Sequence, residues 1–257
     1  MARRTAGSRT PMTPMRKTAL AAGVLYLVTF VTSIPALAFY DKVLHNSAYV
    51  LGAGSDGGIV WGALLEVVLG IAGIGTAVIL YPVAKRQSET AALGFVTARV
   101  LESAMIFVGI VSLLSVFTLR QNVAGTHGAD PGALVTAGHS FVALHNWTLL
   151  LGPGLMPAVS GLCLGTVMYR SRLVPRIIPT IGLVGVPLLV ASFTAALFGA
   201  WAQFSTPAAL AAIPIAVWEF SLGVWMTVKG FRPVAETPDR APRPLGHEDQ
   251  SLATSVG

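Results

Sequence analysis

Residues 91–119 read AALGFVTARVLESAMIFVGIVSLLSVFTL, an apolar run that nevertheless carries Arg99 and Glu102. A bilayer core takes about 20 residues of helix, and this run exceeds that length. Each ionisable side chain near mid-membrane costs about 2.5–3.5 kcal/mol on insertion scales, so such residues are seldom accidental. Three positions apart on a helix, Arg99 and Glu102 share a face and can pair. Outward from this stretch the mixture recurs, with Glu66 and Glu219 each set inside another apolar run. The stretch reads as one membrane helix of several, bundled around a buried polar cluster.

Composition supports that class. Of 257 residues, 54% are hydrophobic and only 11% charged, about half the charge of an average soluble domain. The mean hydropathy is +0.71, and runs of helix-spanning length recur along the chain. The net charge of +6 invites a nucleic-acid reading. The positions of the basic residues remove it, because they fall in short segments between apolar runs and form no continuous face. Cys163 is the sole cysteine and lies in an apolar run, so no intrachain disulfide can form.

The spacing predicts an all-α bundle of six transmembrane helices, with spans at about 18–40, 59–84, 91–119, 147–169, 177–197 and 208–228. A peripheral helix over Pro131–Asn146 precedes the fourth span. Residues 1–17 form a basic segment ahead of the first span, and 229–257 read as a disordered tail. The basic leader, the apolar stretch and Ala36-Leu37-Ala38 imitate a signal peptide, but the stretch is longer than a signal core and more spans follow, so the first helix is expected to be retained. Gly52-Ala53-Gly54-Ser55-Asp56-Gly57 formally matches G-x-G-x-x-G. The dinucleotide reading needs a strand before it, and a flexible loop with Ser55 or Asp56 capping the next helix is the better account.

The stretch from Pro131 to Tyr169 is too long for one span and breaks only at Gly152-Pro153-Gly154. That kink should face protein or a cavity, since unpaired backbone cannot face lipid. Gly161 and Gly165 form G-x-x-x-G, a signal for close helix packing or for a homo-oligomer. Fourteen basic residues fall on the side of the termini and two, Lys42 and Arg120, on the other. The asymmetry places both termini in the cytoplasm.

Counting about 1.5 Å per residue, Glu102 and Glu219 fall near mid-membrane and Glu66 about 10 Å below the outer surface. An outward cavity would collect Glu66, Arg99, Glu102, Glu219 and His145, the candidate ligand-binding or proton-handling residues. The bland alternative is that these groups fix helix packing. His139 and His145 are six apart and leave the same helix in different directions, and no H-E-x-x-H or E-x-x-H pair is present, so no metal site and no cofactor is expected. Nor is there a G-x-S-x-G or another sign of a nucleophile.

The strings G-A-L-L-E at Glu66, A-R-V-L-E at Glu102, L-H-N-W at 144–147, Y-R-S-R-L-V-P-R at 169–176 and W-E-F-S-L-G-V-W followed by K-G-F resemble a bacterial multi-pass membrane family, domain of unknown function 4386. The resemblance spans roughly residues 16–233. It implies a bacterial inner membrane and a retained first helix, and carries no activity. The reading that follows from the residues is a membrane protein that binds or moves a small or lipophilic ligand at the Glu/Arg cluster, with the bilayer as its partner and no nucleic acid. Two alternatives stand beside it: an embedded enzyme using a glutamate as general acid or base on a lipid or isoprenoid substrate, and a structural or partner-binding subunit.

Overall fold

The computed structural model describes residues 12–52, 56–123 and 130–232. Most of the basic leader, the centre of the glycine-rich connector and nearly all of the tail lie outside them. Among the described residues seven α-helices follow in order: α1 Pro14–His45, α2 Gly57–Lys85, α3 Glu89–Val123, α4 Pro131–Leu151, α5 Met156–Ser171, α6 Ile177–Leu197 and α7 Thr206–Val228. A short 3₁₀ turn, Tyr49–Leu51, joins α1 to α2. With α4 and α5 running as one broken segment, six helices are long and apolar enough to cross a membrane.

Local chemistry sets the starts. Thr13 accepts from the Arg16 amide ahead of Pro14. Asp56 caps α2 by accepting from Gly58 at 2.9 Å, and Asp130 caps α4 from Gly132 at 3.0 Å, with Pro131 in the first turn. Arg16 serves the other end of the chain: its guanidinium donates to the Met226, Thr227 and Val228 carbonyls, which the end of α7 leaves without amide partners. The start of α1 and the end of α7 therefore share one face of the bundle, the terminal face. On the far face, Arg120 donates to the Tyr49 carbonyl at 2.6 Å and lies over the Tyr49 ring.

Taking α4 and α5 as one span, each span packs on its neighbours in sequence, and α7 returns to pack on α1, so the six spans close into an antiparallel ring. The first helix is a full member of it: it packs on both α2 and α7, and Ala19, Ala22, Tyr26 and Tyr40 are wholly buried. Ridges of small residues permit the close approaches that membrane bundles rely on. A Cβ on Gly23 of α1 would stand 2.7 Å from the Gly223 carbonyl oxygen of α7. Large apolar side chains point outward instead, as Ile71, Val78 and Val111 do, the arrangement expected where the solvent is lipid.

The broken segment differs in detail from the expected division. The helix runs through Asn146 and Trp147 without interruption and ends at Leu151, so the break is at Gly152-Pro153-Gly154 itself. Its backbone is satisfied: the Gly152 amide donates to Thr148, Gly154 to Leu149 and Met156 to Gly152. Gly152 abuts α3, where a Cβ would meet Met105 at 2.6 Å. The G-x-x-x-G motif is spent within the chain, since Gly161 faces Trp218, Ile215 and Val186, and Gly165 faces Leu183.

Candidate functional site

Between the helices lies an open-mouthed cavity of about 220 Å³, and every one of the six spans contributes to its wall. Among its lining residues only Arg99, Glu102 and Glu219 are ionisable. The α3 helix sets Arg99 and Glu102 one turn apart, and the first Nη of Arg99 donates to Glu102 Oε2 at 3.0 Å. The second Nη donates to Glu219 Oε1 on α7. Behind the guanidinium, the Tyr26 ring of α1 lies 5.1 Å from its central carbon, close enough for a cation–π contact. The carboxylates stand further forward than the arginine, with side chains 12% exposed against 4%.

The cavity continues into a larger apolar cleft of about 540 Å³ bounded by α1, α4, α6, α7 and the loop before α7. The two share Phe30, Ser33, Pro153, Leu189, Ala212 and Ala216. Pro153 lines both spaces and Gly154 the cleft, so the helix break falls where the backbone borders a cavity. The cleft reaches toward the far face through Leu37, Ala196 and Phe204. The result is a polar floor beneath an apolar shaft.

Glu66 and His145 are not part of this floor. Glu66 accepts from the Tyr40 hydroxyl at 2.9 Å, and the Tyr40 ring stands edge-on to the His145 ring with centroids 5.8 Å apart. His145 Nδ1 lies 3.4 Å from the Gly109 carbonyl oxygen, and its Nε2 has no hydrogen-bond partner. Tyr40 sits fourteen residues beyond Tyr26 on α1, about 21 Å along the axis. The single five-residue cluster expected from the sequence is therefore two centres, a Glu–Arg–Glu triad and a Tyr–Glu–His group. Neither tyrosine stood out along the sequence, although a hydroxyl in an apolar run needs a partner, as Tyr40 finds in Glu66; Tyr26 meets Arg99 through its ring.

The triad's chemistry is narrow. One guanidinium faces two carboxylates, so the formal charge is −1 with both ionised and zero when one proton is held. The hydroxyls in the wall are engaged with backbone, Thr29 donating to the Tyr26 carbonyl at 2.7 Å and Ser33 to that of Phe30 at 3.5 Å, which leaves neither poised as a nucleophile. Among the described residues no three His, Cys, Asp or Glu side chains come close enough to hold a metal ion.

Fold and site together define a multi-pass membrane protein, a ring of six apolar helices around an ion triad. The chain belongs to the family described as domain of unknown function DUF4386, whose model matches residues 21–230. Neither a curated protein nor a solved structure matches it.

Proposed function

We propose that the protein binds a small lipophilic ligand in the central cavity, with the triad as the polar contact and the apolar cleft as the seat for the rest of the molecule. It does so in the plasma membrane of a bacterium, with both termini in the cytoplasm. The observation that carries the reading is the coincidence of the two features. The one ion triad among the described residues lines a space walled by residues of all six spans, and that space opens into an apolar cleft. Ligand sites of this kind are mostly apolar with a few convergent polar groups. An ionisable group kept inside a membrane is by default functional.

Ala212 and Ala216 line both spaces, so a bulky side chain at either should fill them. The test compares organic-extractable molecules retained by the purified protein and by Ala212→Trp, using mass spectrometry after matched washing. The reading requires a lipophilic species retained by the parent chain and depleted in the variant, while the thermal midpoint holds. Equal retention by the two proteins would overturn it.

A second reading is favoured by the forward position of the carboxylates. Glu102 or Glu219 could deliver a proton to a bound lipid or isoprenoid as general acid. Conversion of the retained species during incubation, lost in Glu219→Gln, separates this enzyme from a binding protein.

A further inference from the structure

We infer that the ligand of this cavity is a lipophilic monocation, an amphiphile with a quaternary or protonated amine at its head. The inference rests on the proposed binding role and adds the charge of what is bound. Three ionisable side chains line the space, and two of them are carboxylates. Arg99 is bonded to both through its Nη groups, is backed by the Tyr26 ring and is less exposed than either, so the charged surface offered to a ligand is chiefly carboxylate oxygen. Ionised carboxylates only accept, and with both ionised one guanidinium leaves one negative charge over, which a bound cation would hold in that state. A single positive charge on the ligand closes that account in a place where water is scarce and charge pairing is strong.

The surroundings favour a cation that is weakly hydrated and carries a tail. The Phe30 side chain lies in the wall of both the cavity and the cleft, and aromatic walls suit alkylammonium heads, which shed water at low cost. Above the floor the lining turns to Leu37, Leu149 and Phe193, a path for an alkyl or aryl tail. An anionic head would meet the carboxylates first, and a neutral head would leave the excess charge unpaired.

The experiment titrates three amphiphiles that share a decyl tail into the full chain in nanodiscs: decyltrimethylammonium, decanol and decanoate. Heats are corrected with empty nanodiscs. The inference expects decyltrimethylammonium to bind at least about tenfold more tightly than decanol, with decanoate weakest. Glu102→Gln and Glu219→Gln each keep the side-chain volume and leave Arg99 one carboxylate, so the fold is retained and the floor becomes neutral. Each should erase the preference for the cation over decanol. If the three probes bind alike, or the preference survives both glutamine variants, the monocation is wrong; loss of all binding in Ala212→Trp then shows that the cavity still holds a lipophile. Absence of saturable binding by any probe would remove the cavity reading and the monocation together.

Discussion

Arg99 of α3 holds Glu219 of α7, 120 positions later in the chain, with one Nη while the other holds Glu102 one turn away. One guanidinium thus ties the middle of the ring across its diameter. Because the two carboxylates depend on the same cation, the three side chains should behave as a unit.

Replacing Arg99 with Met leaves two buried carboxylates facing each other without a cation. Breaking a buried ion pair in this way costs about 3–5 kcal/mol. Glu102→Gln or Glu219→Gln leaves the arginine one charged partner and should cost about 1 kcal/mol. The triple change Arg99→Met, Glu102→Gln, Glu219→Gln should regain most of the loss from Arg99→Met. Thermal unfolding in detergent reads the order; an Arg99→Met midpoint no lower than that of the single glutamine variants would dissolve the triad as a unit.

Gly182 of α6 lies under the indole of Trp218, where a Cβ would stand 2.4 Å from the ring. Trp218 is wholly buried and also lies 3.1 Å from the Cβ position at Gly161. Gly182→Ala should therefore overpack the α6–α7 seam by about 1–3 kcal/mol. Combined with Trp218→Phe it should cost less than the sum of the two single changes. A double-mutant cycle that came out additive would mean the glycine is not there for the indole.

Tyr40 and Glu66 form a hydrogen bond remote from the triad. Tyr40→Phe strips a buried carboxyl of the one donor it is seen to use and should cost about 1–3 kcal/mol. Glu66→Gln still accepts from the hydroxyl and should be close to neutral. Neither change should alter retention of the lipophilic species. Loss of retention in a stable Glu66→Gln protein would bring that group into the ligand site after all.

The basic asymmetry should place the end of α7 in the cytoplasm. A reporter active only in the cytoplasm, fused after Arg232, is expected to be active, and the same reporter placed in the segment between α3 and α4 is expected to be silent. The reverse pattern, with both fusions expressed, would invert the topology.

Much of this protein is written along one dimension. The six spans could be read because the thickness of a bilayer is a length, and a length of apolar helix answers it residue by residue. The pair Arg99–Glu102 could be read because a helical turn is local. The need for a cavity or protein surface beside Gly152-Pro153-Gly154 followed from the backbone alone, since lipid offers no hydrogen bonds. Even the caps at Asp56 and Asp130 are visible as residue types.

What the sequence did not contain was the rotation of each helix about its own axis. In water an apolar stripe announces which face turns inward, whereas in these helices nearly every face is apolar. The inward face is selected by small residues fitting one another at close range, as Gly23 meets Gly223 and Gly182 meets Trp218. Those fits turn Glu219 toward Arg99 and Glu66 toward Tyr40, dividing five candidate residues into two centres. They also turn Gly161 and Gly165 toward α6 and α7. The sequence by itself determined how many helices cross the membrane and which polar residues they carry; the packing of small residues, a contact between distant parts of the chain, decided which of those polar residues meet.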